Sequence, residues 1–377
     1  MGFLGSFLKV NTGAIGVDLG SSSLKLAQIS PDSGGDNAQV RAQLIAAAGA
    51  EIPQEVRADP KARIEFFKDT VSDLLSQGGF KGRKAVLGLP ASCMHLERLR
   101  VPVLPDEQTT KQAIQYELVE RLPFHPSRAM IRHFHAGEIY EDNEKRNEVI
   151  VMATRREFTD CFLAAASKAK IEVVGVNAEP IAIANCLAPV DNSPQPAARA
   201  YIDIGSAGTR VYIAAGRKIQ FARAVPVGTE QLDLAVAHAF HVPLPQAREL
   251  RFRMATQRIA EHPEGNAPAA AAGTAATATL DPAAEAKQRE MVRVEQACIP
   301  ALRKLVEELE LCLRYHHATF PGTPLEQLIF VGGAASQRRL CRKIASELHV
   351  AAHAADPLSR VTPTDSISPD LFGPNTP

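Results

Sequence analysis

Residues 14–29 read AIGVDLGSSSLKLAQI, and residues 200–216 read AYIDIGSAGTRVYIAAG. Each stretch is an apolar run, an aspartate, a glycine among small hydroxylated residues, and a second alternating run. Alternation with period two predicts strands, and the glycine-serine step between them predicts a tight turn. One such Asp-x-Gly hairpin is an ordinary turn, because Asp and Gly are what turns demand. Two of them, each flanked by strands and each opening a similar half of the chain, ask for a shared reason.

Outward from the first hairpin, residues 38–48 continue a meander. Residues 59–80 place Ile64, Phe67, Val71, Leu74 and Leu75 on one helical face and end at Gly78-Gly79, and residues 84–90 read as a buried strand. From the second hairpin, residues 218–228 complete another meander, and helices are predicted over 229–242 and 243–256. A long amphipathic helix over 289–319 follows, with Pro300 predicted to kink it, then a strand-plus-glycine turn at 326–336 and a helix at 337–348. The order of elements repeats, so the sequence predicts an α/β fold made by internal duplication.

Between the halves, residues 94–105 run into 105–124, a helix that Asp106 or Thr109 caps and Pro123 stops. Two strands, 128–142 and 147–158, form a charged hairpin, and 159–189 read as helix, strand and helix. The Pro-rich joint at 190–198 marks the domain boundary, and the Ala-rich stretch 260–287 reads as a flexible insertion. The expected division is a docking segment 1–11, a first large subdomain 12–88 with 156–197, and a small insert 89–155. A second large subdomain 198–228 with 296–352, a helical subdomain 229–295 and a partly ordered tail 353–377 complete it.

Composition narrows the function classes. Of 377 residues 45% are apolar, enough for a sizeable core, and 42 basic side chains balance 42 acidic ones, so no basic surface suggests nucleic acid. Cys93, Cys161, Cys186, Cys298, Cys312 and Cys341 are scattered without a Cys-x-x-Cys, the pattern of reduced cytosolic thiols. No apolar run is long enough to span a bilayer. The opening MGFLGSFLKV is too short for a signal peptide, and it matches a myristoylation pattern that would mean nothing in a bacterial protein. Phe3, Leu4, Phe7 and Leu8 read either as a docking segment or as a frayed terminus. His316-His317 has no Glu or Cys at ligand spacing and reads as surface or helix-packing residues, not metal ligands. The basic run QRRLCRKIA reads as a solvated helix face or as a contact with anionic lipid.

A tight turn between strands leaves backbone N–H groups pointing into one small space, and glycine lets a phosphate approach them. Hydroxyls add donors without bulk. An aspartate at the end of the first strand sits where it could hold Mg2+, directly or through water. The parts are Asp18, Gly20, Ser21, Ser22, Ser23 and Lys25 in the first hairpin, and Asp203, Gly205, Ser206, Gly208 and Thr209 in the second. Facing one another, two such hairpins would clamp a nucleotide's phosphates. A third glycine turn, Gly332-Gly333-Ala334, could meet a nucleoside at a helix N-terminus, or could simply pack a strand on a helix.

VDLGSSS, IDIGSAGT and FVGGAAS together resemble the two phosphate motifs and the adenosine motif of the actin/Hsp70/sugar-kinase ATPases. More narrowly, IGVDLGSSSLKLAQIS near the N-terminus, AVLGLPASCMHLERLRVP with QAIQYELVERLPF, and the stretch EVIVMATRREF through AIANCL resemble the PilM family of type IV pilus assembly proteins, relatives of FtsA. The resemblance covers most of residues 12–352 and departs at the Ala-rich insertion and the tail. It implies a duplicated actin-like (ribonuclease H-like) fold that clamps ATP–Mg2+ between two lobes, with at most slow hydrolysis.

By that resemblance Asp18 and Asp203 are magnesium-side carboxylates, and Gly20, Ser21, Ser22, Ser23, Gly205, Ser206 and Thr209 hold phosphates. Gly228, Gly332 and Gly333 border the nucleoside, and Glu249 and Arg251, in QARELRFR, approach adenosine. Glu179 matches an acidic residue that positions water or the metal shell; read alone, it is a helix-start residue ahead of Pro180.

The implied partner is the short cytoplasmic N-terminal segment of a PilN-like inner-membrane protein, with other pilus machinery nearby and self-association open. The protein would then be cytoplasmic and peripheral at the inner membrane. A sugar or metabolite kinase of the same fold needs a base aimed at a substrate hydroxyl, and no Asn-Asp pair supplies one. An Hsp70-like chaperone needs a further substrate domain, and a GspL-like secretion component needs a membrane span.

Overall fold

The computed structural model describes residues 12–31, 42–187, 196–256, 282–356, 358–359, 361–364 and 367. The docking segment with Phe3, Leu4, Phe7 and Leu8, the Ala-rich insertion up to residue 281, much of the Pro-rich joint and most of the tail lie outside them.

Alternation builds the first sheet. In β1 (Ile15–Leu19) Ile15, Val17 and Leu19 are buried while Gly16 and Asp18 face out. β1 pairs antiparallel with β2 (Ser23–Pro31), and β2 with β3 (Ala42–Glu51). Gln28, buried on β2, bonds the chain at Gly13 and Lys81. Helix α1 (Pro60–Gln77) starts where the Asp59 side chain accepts from the Lys61 amide and ends at Gly78. Its Ile64, Phe67, Val71 and Leu75 meet Phe162 and Ala166 beneath the sheet. β4 (Lys84–Gly88) lies parallel to β1.

The chain then leaves this lobe for a three-stranded antiparallel sheet of β5 (Met94–Pro102), β6 (Ala129–Glu141) and β7 (Glu144–Arg155), order β5-β7-β6. Asp142 and Asn143, both at positive φ, make the tight β6–β7 turn. Of the two candidate caps, Asp106 caps α2 (Glu107–Glu117), which covers this sheet; its side chain accepts from the Thr109 amide. Helix α3 (Arg156–Lys168) returns to the first lobe, where β8 (Glu172–Asn177) joins β4 and α4 (Glu179–Leu187) leads away.

The second lobe repeats the plan. β9 (Ala198–Ile204), β10 (Thr209–Ala215) and β11 (Lys218–Val225) form the meander. Helices α5 (Thr229–Phe240) and α6 (Leu244–Thr256) follow, then α7 (Pro282–Thr319), β12 (Leu325–Val331) parallel to β9, α8 (Arg338–Leu348) and β13 (Ala352–Ala354). The orders β3-β2-β1-β4-β8 and β11-β10-β9-β12-β13 are equivalent. Pro300 lies within α7 without ending it. This helix crosses the boundary expected near residue 295: Met291, Val294 and Cys298 pack with α5 and α6, whereas Leu305, Val306 and Leu309 lie under the sheet.

Two connections bind the parts together. The tail, expected to be partly ordered, contributes β14 (Val361–Pro363), which pairs parallel with β3 at the edge of the first sheet. The small inserted sheet shares a core with the second lobe, since Ala136 and Ile150 pack with Tyr201, Tyr212, Ala222 and Phe320. Along that seam Arg98 lies 3.8 Å from the centroid of the Tyr315 ring, and the Tyr315 hydroxyl donates to the fully buried Glu148 at 2.6 Å.

Candidate functional site

The two hairpin bends have the same construction. In the first, the Gly20 amide donates to the Ser23 carbonyl at 2.9 Å; in the second, the Gly205 amide donates to the Gly208 carbonyl at 3.0 Å. Among the described residues, no backbone carbonyl accepts from the amides of Ser21, Ser22, Ser206 or Ala207. Each bend thus offers free donors, the requirement for an anion nest.

Both bends are fixed from behind. Arg63, 2% exposed on α1, donates to the Gly20 carbonyl at 3.2 Å and to the Ser92 hydroxyl at 2.8 Å. In the second lobe the Thr229 and Glu230 amides at the start of α5 donate to the Gly205 and Ser206 carbonyls. Gly228 lies so close beneath this bend that an added Cβ would sit 2.3 Å from the Ser206 carbonyl oxygen.

Asp18 and Asp203 are the next-to-last residues of the first strands of their lobes, β1 and β9, and approach across the cleft. Asp18 is open to solvent yet has protein on most sides; that crowding raises its pKa, Lys25 beside it opposes the rise, and Asp203 adds to it. Glu179, the first residue of α4, lies beside Asp203. Desolvation, then the Asp203 carboxylate, pushes its pKa up to about 9. Among the described residues its buried Oε1 has no partner at good hydrogen-bond geometry, nor has the Tyr212 hydroxyl, which stands close enough to Glu179 for that carboxyl to help raise its pKa. Arg210 Nε stands 3.7 Å from Glu179 Oε2, and Arg210 Nη1 stands 3.9 Å from Asp203 Oδ2.

The third turn closes on this group. Gly332 has φ +76°, and a Cβ there would fall 1.9 Å from Asp203 Oδ1, so no other residue fits without displacing the carboxylate. Gly333 is exposed beside it.

Four residues take positions other than those expected. Thr209 is fully buried and its hydroxyl donates to the Val227 carbonyl at 2.6 Å, so it pins the hairpin instead of facing a phosphate. Ala334 points into the core beneath β9 and β12, leaving only its backbone at the turn. Glu249 stands on the solvent face of α6 and pairs with Arg253. Arg251 is buried; it donates to Asp233 on α5 and to Gln337, which follows the third turn, and so shapes that end of the cleft from inside. At the cleft mouth Glu51 meets Arg248 at 2.8 Å and Gln54 donates to Glu230 at 3.1 Å, one partner from each lobe.

Sequence reading missed Arg63, Arg210, Tyr212, Glu51 and Arg248. Arg210 had a signal: it is a charge inside an otherwise apolar alternating strand, directly opposite Asp203. Arg63 had none, since it sits on a helix whose other charges face water.

Phosphates with magnesium fit this cleft. The unused amides suit phosphate oxygens, and two carboxylates from opposite lobes suit a metal that keeps most of its water. An all-protein metal cage does not fit: among the described residues no group of three or more His, Cys, Asp or Glu has ligand spacing.

Residues 16–255, well over half of the chain, match the family model for type IV pilus assembly protein PilM. The chain belongs to the PilM family. A solved PilM–PilN type IV pilus biogenesis complex is similar at TM-score 0.69 and 20% identity, over 93% of this chain and 90% of that one. That likeness, with the equivalent strand orders, shows the duplicated actin-like ATPase fold. The ethanolamine utilization protein EutJ from Carboxydothermus hydrogenoformans matches at TM-score 0.48 and 14% identity, over 90% of this chain and 84% of that one. ADP-bound MreB5 of Spiroplasma citri matches at TM-score 0.44 and 13% identity, over 91% of each chain. No curated protein sequence matches this PilM-family chain.

Proposed function

We propose that this PilM-family protein is an ATP-binding scaffold of type IV pilus assembly, its two lobes clamping ATP–Mg2+ and its surface binding the N-terminal segment of a PilN-like inner-membrane protein. The observation that carries the nucleotide reading is the approach of Asp18 and Asp203 from separate lobes, each beside a bend with unused amides. The backbone of Gly20–Ser22 and of Gly205–Gly208 would hold phosphates, Asp18 and Asp203 the hydrated metal, and the Gly332-Gly333 turn the nucleoside. Bound metal would neutralise phosphate charge.

Support for the partner comes from the family and from the solved PilM–PilN complex. Among the described residues no helix is long and apolar enough to cross a membrane, so inner-membrane association would come through that partner. A ligand shifts an open–closed balance only by its preference for the closed form. The clamp would therefore report nucleotide to its partner even if hydrolysis is slow.

Thermal unfolding of the nucleotide-stripped full chain, titrated with ATP–Mg2+ and with ADP, tests the clamp. At a hundred times the dissociation constant, ligand should stabilise the wild type by about 2.7 kcal/mol, and Asp18→Ala should lose most of that gain. A wild type whose melting ignores every nucleotide would leave a bare scaffold as the answer.

A further inference from the structure

Arg210 is a cation that its surroundings hold but do not satisfy. It lies on β10, paired in register with Asp203, and its side chain is 13% exposed. Nη1 sits 3.4 Å from where a Cβ of Gly205 would stand, so the guanidinium lies along the second bend. Its charge also reaches Asp18 on the opposite lobe. Its two carboxylate neighbours stand at 3.7 and 3.9 Å, both beyond hydrogen-bond length. Among the described residues this nearly buried guanidinium, with five donors, meets its carboxylate partners only at long range, and an incoming oxyanion would complete its pairing.

We propose that Arg210 contacts the terminal phosphate of a bound nucleoside triphosphate and makes the cleft prefer triphosphate to diphosphate. The proposal rests on the nucleotide reading above. Position gives the reason for the terminal group. Arg210 pairs in register with Asp203 along the second bend, and its charge reaches Asp18 beside the first, so it serves the point where both bends would meet one phosphoryl group. A planar, permanently charged fork suits phosphoryl oxygens, which a diphosphate would not present at that point. Glu179 and Asp203 hold the fork there in the meantime without closing on it.

The test is calorimetric binding of ADP–Mg2+ and of a non-hydrolysable triphosphate analogue with Mg2+ to the nucleotide-stripped full chain. It compares wild type, Arg210→Gln and Arg210→Lys, with each ligand-free melting point measured alongside. Wild type should favour the triphosphate. Arg210→Gln should lose about tenfold to a hundredfold in triphosphate affinity, the scale of charge-assisted hydrogen bonds, with ADP affinity nearly unchanged. Arg210→Lys, which keeps the charge and loses the fork, should fall between. A ratio of the two affinities that is the same in all folded forms overturns the proposal, as does equal loss of both ligands. If Arg210→Gln does not fold, the ratio in Arg210→Lys decides. Wild type binding neither ligand would instead remove the nucleotide reading itself.

Discussion

Glu179 carries two observations at once: a buried oxygen with no partner at good hydrogen-bond geometry among the described residues, and a pKa pushed up to about 9 by desolvation and by Asp203. Because this folded value lies above the ordinary carboxylate value, the folded chain keeps a proton that the unfolded chain gives up. The associated stability is complete below about pH 4.3, the unfolded value, and is lost as pH rises through the folded one. The ligand-free wild type should therefore melt at progressively lower temperature between about pH 5 and 9, and Glu179→Gln should lack that component. Melting curves across this window check it; identical profiles would assign the dependence elsewhere. Asp18 and Asp203 were legible in sequence because a hairpin with a polar residue near the end of its first strand reads the same in any fold. The partners of Glu179 were not, because they come from a strand over twenty residues away in the other lobe.

At the scale of elements, α6 shows how Glu249 and Arg251, two positions apart on one motif, divide their work. Ala247 and Leu250 face α5 and α7, which turns Arg251 inward to Asp233 and Gln337 and leaves Glu249 in water. Removing one partner of a buried ion pair strands the other, so Arg251→Ala should cost about 3–5 kcal/mol in urea unfolding. Glu249→Ala, which breaks only an exposed helix pair, should cost under about 1 kcal/mol. The motif was readable; which side of the helix each charge occupies was set by packing on α5 and α7, and no local pattern reports that. The strands and the capped helices were plainer, since alternation in β1, the Asp59 cap of α1 and the Asp106 cap of α2 are local physics. The helix over 289–319 already ran across the expected subdomain border; what local pattern could not report is that its two halves bury against different cores.

At the scale of the molecule, the duplication was legible from the order of elements, whereas the seam between the inserted sheet and the second lobe was not. Its polar contacts, Arg98 over Tyr315 and Tyr315 to Glu148, join residues 217 and 167 positions apart, too far for any periodicity to register. Tyr315→Phe removes the donor from a buried carboxylate and should destabilise the fold by about 1–3 kcal/mol in chemical denaturation. If unfolding is unchanged, water or Arg100 has taken over the bond. The return of β14 to the first sheet has a mechanical result. The polypeptide passes from one lobe to the other after α4 and passes back after β13. These crossings, with the core that the inserted sheet shares with the second lobe, tether the two walls of the cleft, so this topology favours rocking of the lobes over free separation of its walls.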